Sequence, residues 1–418
     1  MLILEITSLV SIRPDSIAYK KWRRKNKIIA MLLFFFLLQF AVETKPVIAP
    51  VPKFEAQVLD SAISIGYGLA LGDVDGDRKP DILLADKKQF VWYRNGDWKR
   101  FVMVENLTEQ DNVCIAARDL DGDGKVEVAV GAQWNPGETS DTSKSGSVHY
   151  LIRPKDPTQR WEAVELHHEP TIHRMRWAKS ADGIFYLLVL PLHGRGNKNG
   201  EGEGVKMIAY QFPKNPKDKW NMPVLDQSMH LTHNLEITEK KSVNQTDLFI
   251  AGKEGIRTIP AFSSKSGKVQ ATKIQGAENS AGEVRIGNQG SKQSFIVTIE
   301  PMHGVAVAVY TGDEHKTRTL LDDQLKEGHA LAAADLLGLG YDQVVAGWRV
   351  PNAANKTGIK LYVPRDKSNI QWDQYWIDEN GIATEDLQVL DMNADGKPDI
   401  VAAGRATKNL KIYWNKSE

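Results

Sequence analysis

Three acidic stretches of this chain share one spacing of oxygen-bearing side chains. Each stretch carries a carboxylate or an amide at positions 1, 3, 5 and 9. These residues are Asp73, Asp75, Asp77 and Asp81 in the first stretch, Asp119, Asp121, Asp123 and Glu127 in the second, and Asp391, Asn393, Asp395 and Asp399 in the third. That spacing folds oxygen ligands around one centre, and Ca²⁺ takes six to eight oxygens in a flexible geometry. We therefore expect Ca²⁺, or Mg²⁺, in these three loops.

The acidic stretches also define a repeat. Each lies between two apolar runs, which indicates a strand–loop–strand unit. The stretches begin at residues 73, 119 and 391, and the long gap leaves room for intervening units of about 54 residues each, the size of a four-stranded propeller blade. Seven apolar runs fit as the second strands of such units, at residues 81–86, 127–132, 185–190, 247–252, 294–299, 342–347 and 399–404. The sequence therefore predicts an all-β fold, a seven-bladed β-propeller.

The two ends of the predicted propeller complement each other. The last unit stops after its third strand, near Asn415, whereas residues 54–60 resemble a fourth strand with no unit of their own. We expect this N-terminal strand to pair into the last blade and close the ring, because closure removes exposed sheet edges.

The N-terminal region differs in composition from the rest. Residues 20–27 are basic and residues 28–42 are apolar apart from Gln39, which is typical of a signal peptide. The apolar run is short for a membrane span, which needs about 20 residues. We interpret residues 1–43 as a signal peptide or an N-terminal anchor and residues 44–418 as a single propeller domain. The protein is then exported, to a periplasm, the medium or the cell surface, and contacts a membrane only through an uncleaved N-terminal segment.

Charge and cysteine content exclude some functions. The 418 residues hold 53 basic and 53 acidic side chains. Without the N-terminal segment the balance becomes slightly acidic, so we expect no nucleic-acid partner. Cys114 is the one cysteine of the sequence, so no intramolecular disulfide can form. The oligomeric state stays open.

The positions of the acidic loops also predict which residues lie on the opposite face of the propeller. Each loop joins the innermost strand of a blade to the second, so the innermost strand starts about six residues earlier, at the other end of the central channel. The residues found there in five consecutive blades are His173, His233, Glu283, His329 and Glu385. We call these five residues the ring.

Further polar residues are expected at the same mouth of the channel. The loops after the second strands carry His193, Arg195, His303, Trp348, Arg349 and Arg405, and the inner strands add Arg174, Arg176 and Arg285. Imidazole, carboxylate, guanidinium and indole groups together suit a polar, oxygen-rich ligand such as a small sugar.

Several stretches of the chain resemble a known family. The blade motif resembles the FG-GAP/VCBS repeats of integrin-like propellers. More closely, the chain is similar to the propeller domain of aldos-2-ulose dehydratase, at residues 173–177, 192–196, 231–234, 282–285, 300–304, 321–330, 346–349 and 404–409. The resemblance implies a carbon–oxygen lyase that dehydrates a keto sugar such as 1,5-anhydrofructose, glucosone or a 3-keto-glycoside.

That implied activity suggests roles for the ring. We assign His173 as the base, because imidazole suits proton abstraction near neutral pH. His233 and His329 then act as acids or metal ligands, and Glu283 and Glu385 as metal or hydroxyl contacts. Three histidines with a carboxylate could also hold a divalent metal ion. The alternative hypothesis is a non-catalytic, calcium-braced propeller that binds a glycan or a cell-surface protein.

Overall fold

The computed structural model describes residues 50–240, 245–263, 271–290 and 293–418. Pro50–Glu418 forms one compact unit. The predicted signal peptide or anchor at residues 1–43 lies outside the described residues. Within them, no helix has the length and apolar character needed to cross a membrane.

The described chain forms seven four-stranded antiparallel sheets, which confirms the predicted seven-bladed propeller. The strands of each blade run from the channel outwards. Blades one and two contain β2 (Gly68–Gly72), β3 (Asp81–Ala85), β4 (Gln89–Tyr93) and β5 (Arg100–Glu105), then β6 (Cys114–Arg118), β7 (Glu127–Ala132), β8 (Ser147–Ile152) and β9 (Glu162–Leu166). Blades three and four contain β10 (Ile172–Lys179), β11 (Phe185–Pro191), β12 (Met207–Gln211) and β13 (Val224–Asp226), then β14 (Thr232–Lys240), β15 (Gln245–Gly252), β16 (Gly255–Ile259) and β17 (Thr272–Lys273).

The remaining three blades follow the same order. Blades five and six contain β18 (Glu283–Gly290), β19 (Gln293–Glu300), β20 (Ala306–Thr311) and β21 (Thr317–Asp322), then β22 (Gly328–Ala334), β23 (Gln343–Trp348), β24 (Gly358–Pro364) and β25 (Trp372–Glu379). Blade seven contains β26 (Thr384–Leu390), β27 (Asp399–Gly404), β28 (Asn409–Asn415) and, outermost, β1 (Phe54–Asp60). A 3₁₀ turn at Asp313–His315 lies between β20 and β21.

The N-terminal strand closes the ring as predicted. β1 pairs antiparallel with β28, from Phe54 opposite Asn415 to Asp60 opposite Leu410. The backbone N–H of Lys416 also donates to the carbonyl of Lys53 at 2.8 Å. The first and last strands of the described chain thus share one sheet.

The hydrophobic core lies between neighbouring blades. Every residue of β3 and of β7 is buried, because a blade covers each face of these strands. One cluster joins Trp92 of blade one to Val128 of blade two, and another joins Trp177 of blade three to Tyr150 of blade two. This interleaving explains why the second strands are continuous apolar runs in the sequence.

Buried polar contacts reinforce the packing between neighbouring blades. Asp378, at the outer edge of blade six, accepts hydrogen bonds from Tyr413 Oη at 2.7 Å and Lys411 Nζ at 2.8 Å in blade seven. Asp322 of blade five is bonded in the same way by a tyrosine and a lysine of blade six, at 2.9 and 2.7 Å. Each carboxylate therefore ties the outer strand of one blade to the third strand of the next.

We predict that Asp378→Ala lowers the free energy of unfolding by about 3 kcal/mol, because it leaves the Lys411 ammonium buried without its partner. Urea denaturation of the purified protein measures this change. Asp373→Ala on the same strand is the control: its exposed pair with Arg365 is worth less than about 1 kcal/mol. Equal effects of the two substitutions would contradict the proposed tie.

Candidate active site and metal centres

The ring residues lie where the inner strands begin, and four of them occupy irregular positions in the sheets. The pairing of β10 with β11 skips from Ile172 to Arg174, so His173 has no cross-strand partner. His233, His329 and Glu385 are skipped in the same way in blades four, six and seven. A bulge of this kind changes the direction of a side chain. Glu283, in contrast, pairs regularly with Ile299.

Hydrogen bonds between blades fix the orientation of the ring histidines. His173 Nδ1 lies 2.8 Å from the carbonyl oxygen of His233, and His329 Nδ1 lies 2.5 Å from that of Glu385. His233 Nδ1 lies 2.9 Å from the carbonyl oxygen of Gly282. A carbonyl oxygen only accepts, so each Nδ1 carries the proton and each Nε2 keeps its lone pair.

Three imidazoles converge at the mouth of the channel. His233 Nε2 and His303 Nε2 are 2.7 Å apart, and the ring centroid of His329 lies 5.1 Å from each of the other two. One nitrogen of each of the three residues falls within 4.8 Å of the others. Three neutral imidazoles are a common set of ligands for a divalent transition metal, and two of these three have their other nitrogen held by a backbone carbonyl. The cluster fits such an ion.

His173 stands beside this cluster in a different environment. Its ring stacks on Trp134 with the centroids 5.0 Å apart. Its Nε2 accepts a hydrogen bond from the Arg174 guanidinium at 3.0 Å. Burial, followed by the charge of Arg174, lowers the pKa of His173 well below its usual value. The lone pair that a base would use is therefore already engaged.

The other imidazoles are also held neutral. Burial, then the nearby Arg349, lowers the pKa of His329 well below its usual value. Burial and His233 lower the pKa of His303 to about 2. Neutral imidazoles are required for metal ligation.

Two buried carboxylates flank the histidines. Glu283 Oε2 accepts from Asn234 Nδ2 at 2.5 Å, and its Oε1 lies 3.2 Å from His233 Nδ1. Burial alone would raise the pKa of Glu283, but His233 and the charge of Arg285 outweigh it and lower the pKa to about 2. Glu385 bonds the guanidinium groups of Arg405 at 3.0 Å and Arg349 at 3.3 Å.

The accessible rim of the site includes four side chains with ion-pair contacts to one another or to the buried glutamates. Arg349 also donates to Glu327 at 2.6 Å, and the same Glu327 oxygen lies 4.0 Å from His303 Nδ1. The side chains of Glu327, Arg405 and His303 are 43%, 40% and 35% exposed. A ligand at the mouth can therefore reach Glu327, Arg405, His303 and the inner guanidinium of Arg349.

Two predicted arginines lie on the inner strands, further along the channel from the ring. Arg285 Nε is 3.8 Å from Glu236, and Arg176 donates to the carbonyl oxygen of Met175 at 2.9 Å. Burial raises the pKa of Glu236 and of Asp386. These charges form a partly buried layer beneath the ring and do not belong to its exposed rim.

Three predicted contact residues lie outside the cluster. Trp348 is fully buried and donates to the carbonyl oxygen of Lys356 at 2.9 Å. Both of its cross-strand neighbours are glycines, Gly328 and Gly358, so the indole has room within the blade. The backbone of His193 forms an isolated antiparallel β-bridge with that of Leu231. Arg195 bonds the buried Glu169 at 3.0 Å and the carbonyl oxygen of Ser140, in the loop between β7 and β8, at 3.2 Å.

Some residues of the site had been given no role from the sequence. Asn234 directly follows His233, and Glu327 lies two residues before His329. This closeness in sequence to ring histidines is the signal that could have identified them. Tyr67, at the ring position of blade one, donates to Asp111 at 3.0 Å and lies under the Arg405 guanidinium. His303 had been predicted as a substrate contact, whereas the geometry groups it with His233 and His329.

The acidic loops lie at the opposite end of the blades. In the first two loops, the residues at positions 1, 3 and 9 approach one another closely enough to share one ion; they are Asp73, Asp75 and Asp81, and Asp119, Asp121 and Glu127. The position 5 residues face lysines, at 3.6 Å for Asp77 and 3.3 Å for Asp123. The third loop repeats the backbone hydrogen bonds of the first two, with Gly396 N–H donating to Asp391 at 2.8 Å.

The electrostatics of these loops suit a cation. Burial, opposed by backbone hydrogen bonds and assisted by neighbouring aspartates, raises the pKa of Asp81 and of Glu127 to about 7. Burial also raises the pKa of Asp399 in the third loop. A bound divalent cation would favour the ionised carboxylates and reverse these shifts.

The fold and the site together define a seven-bladed propeller with FG-GAP-like repeats and a histidine cluster at one mouth. The family model for an FG-GAP-like repeat matches residues 73–130. The family model for the aldos-2-ulose dehydratase β-propeller domain matches residues 145–313, which include His173, His233 and His303. The resemblance seen in the sequence is confirmed by these two family matches, on a chain that folds as a seven-bladed propeller. A comparison with curated proteins finds no match.

Solved structures share the fold at low sequence identity. A chain of the crystal structure of BBS1N in complex with ARL6DN, soaked with mercury, is 11% identical, with a TM-score of 0.52 over 88% of this chain and 97% of that chain. A chain of the mitotic checkpoint complex is 10% identical, with a TM-score of 0.52 over 89% of this chain and 93% of that chain. These likenesses show the propeller fold alone.

We predict that Ca²⁺ raises the melting temperature of the protein and that Asp119→Ala removes about a third of this increase, because one of three loops then loses its ion. Differential scanning calorimetry with Ca²⁺ and with EGTA measures the effect.

Asp335→Ala is the matched control. Asp335 accepts the same kind of backbone bonds, from Leu339 and Gly340 at 2.8 Å, in a loop that lacks the other acids. It should lower the melting temperature equally with and without Ca²⁺; no shift with Ca²⁺ in the unaltered protein would count against the loops as calcium sites.

We also predict that the unaltered protein binds one Zn²⁺ tightly at the histidine cluster and that His303→Ala weakens this binding by at least about 100-fold, since even outer-shell changes cost 10–100-fold. Competition with a chromophoric chelator measures the affinity. His230→Ala, which removes an exposed imidazole paired with Glu254, should leave it unchanged. Equal Zn²⁺ affinity in both variants would place the ion elsewhere.

Proposed function

We propose that the protein is an exported lyase that eliminates water, or an alcohol, from a keto sugar at the histidine mouth of the channel. The observation that carries this proposal is the convergence of His233, His303 and His329 beside two arginines and an exposed carboxylate. The match of residues 145–313 to the dehydratase propeller family supports the reaction class. A keto sugar such as 1,5-anhydrofructose, glucosone or a 3-keto-glycoside is the proposed substrate.

The substrate would lie across the exposed rim. Arg349 and Arg405 are both held by Glu385, so their guanidinium groups are oriented before a ligand arrives. They can donate to the carbonyl oxygen of the sugar and to a neighbouring hydroxyl. A divalent ion on the three imidazoles would add Lewis-acid stabilisation of negative charge on that oxygen.

Glu327 is the best placed base. It is exposed at the rim, next to His303 and Arg349, whereas Glu283 and Glu385 are buried and paired. In this proposal, Glu327 takes the proton from the carbon next to the ketone, and the electron pair of that C–H bond moves onto the carbonyl oxygen. The arginines stabilise the resulting enediolate. This assignment replaces His173, whose Nε2 accepts from Arg174.

The second half of the reaction uses the same carboxyl group. The enediolate re-forms the ketone while the carbon–oxygen bond at the β-carbon breaks. Protonated Glu327 gives its proton to the departing oxygen, so that water or an alcohol leaves and an enone remains. His173 then serves to orient Arg174 and to pack against Trp134.

The remaining parts of the protein would support this site. We propose that the N-terminal segment directs export and that Ca²⁺ in the three acidic loops rigidifies the far face, where extracellular Ca²⁺ is plentiful. The proposed partner is the small sugar alone.

We predict that the protein converts 1,5-anhydrofructose or a 3-keto-glucoside to an enone and that Glu327→Gln lowers kcat by at least about 100-fold, the usual weight of a general base. The enone absorbance in the ultraviolet follows the reaction. KM should change little, because the glutamine amide keeps the size of the side chain and can still accept from Arg349.

The control is Glu314→Gln, which alters an exposed glutamate paired with Lys316 and should leave kcat unchanged. Full turnover by Glu327→Gln would remove Glu327 as the base. An absence of enone with either sugar, in protein loaded with Zn²⁺, would favour the binding-module hypothesis.

A further inference from the structure

Two adjoining cavities lie on the mouth face, over blade two. One has a volume of about 380 Å³ and the other about 360 Å³, and they share Thr142, Glu165 and His168. We call them together the rim groove. Their lining comes from the connections that end at the mouth: the loop after β5, the loop between β7 and β8, and the segment after β9. Both volumes fall within the range of small-molecule sites, about 300–1,000 Å³.

The rim groove begins beside the candidate active site. Gln133 lines the first cavity, and the next residue, Trp134, stacks on His173 at 5.0 Å. Arg195, which the sequence had suggested for substrate binding, lines the second cavity. The groove therefore leads outwards from the mouth across blades two and three.

The floor of the groove holds polar groups that have no partner within the protein. Ser147 and His149 are two residues apart on β8, so both side chains lie on one face of the strand. They are 4% and 7% exposed, and neither Ser147 Oγ nor His149 Nε2 has a hydrogen-bond partner among the described residues. Buried polar groups are nearly always hydrogen-bonded, so such a pair calls for a ligand or bound water.

The charge of the groove favours a neutral ligand. Burial, then the nearby His168, lowers the pKa of His149 to about 4, and burial also lowers the pKa of His168. Both imidazoles are then uncharged at neutral pH and can donate and accept. Glu165, directly across the sheet from His149, is 69% exposed and would repel an anion. Neutral hydroxyl groups match this set of donors and acceptors.

We propose that the rim groove is a second carbohydrate subsite, which holds a further sugar unit attached to the keto sugar that reacts at the mouth. The substrate is then a keto-glycoside of two or more units. This inference rests on the proposed function, because it names the substrate class of the same site.

Ser147→Ala and Glu165→Gln test the subsite. Ser147→Ala removes a hydroxyl that has no partner in the free protein, so the melting temperature should not fall. Isothermal titration calorimetry measures the affinity for maltose or cellobiose. This affinity should fall roughly fivefold for each variant, because each loses about one hydrogen bond to the sugar. The KM for a 3-keto-disaccharide should rise by the same factor, with the KM for 1,5-anhydrofructose unchanged.

His303→Ala separates the subsite from the reaction. It should abolish turnover and keep disaccharide binding, because His303 lies at the mouth. Binding that responds to the groove variants without any turnover would support the subsite and overturn the proposed reaction. Turnover of 1,5-anhydrofructose without disaccharide binding, or binding unaffected by both groove variants, would overturn the subsite alone.

Discussion

The orientation and the proton position of the histidines at the mouth of the channel depend on one kind of hydrogen bond, from an imidazole Nδ1 to a backbone carbonyl of the next blade. It joins His173 of blade three to His233 of blade four, and His233 to Gly282 at the start of blade five. It also joins His329 of blade six to Glu385 of blade seven. Each bond joins two blades at the channel and fixes the proton on Nδ1. The Nε2 lone pairs of His233 and His329 are thereby directed to one place, where His303 meets them. Because these carbonyls lie where the inner strands begin, next to their cross-strand partners, the geometry of the cluster follows from the packing of the blades.

The buried charges around this cluster are compensated locally. Glu283 is matched by Asn234 and Arg285, and Glu385 by Arg349 and Arg405. Without such partners, an ionised carboxylate is costly to bury, so burial would favour its neutral form. His233 and Arg285 lower the pKa of Glu283 to about 2, so this carboxylate stays ionised beside neutral imidazoles.

Sequence periodicity could predict the parts of the structure that depend on strand length. The acidic loops set the blade count and placed His173, His233, His329 and Glu385 at strand starts, because the rise per residue in a strand is nearly constant. Periodicity placed His303 at the mouth but could not show that it joins His233 and His329, because its position depends on a tight loop in which its backbone φ is 51°. Nor could it show that Trp348 turns into its blade, since that depends on the glycines opposite it. The long connection after β11 likewise takes Arg195 away from the ring.

The two kinds of candidate site divide the propeller into two arcs. The acidic loops belong to blades seven, one and two, which are consecutive around the ring and include the seam where β1 joins β28. Asn95 of blade one bonds the carbonyl of Met392 in the blade-seven loop at 2.8 Å, and Val126 of blade two bonds that of Asp73 at 2.8 Å. The converging imidazoles belong to blades four, five and six, which are joined by continuous chain. Ions at the seam would stiffen the arc that depends on a terminal strand, whereas the three imidazoles that could hold a further ion lie on the arc without that seam.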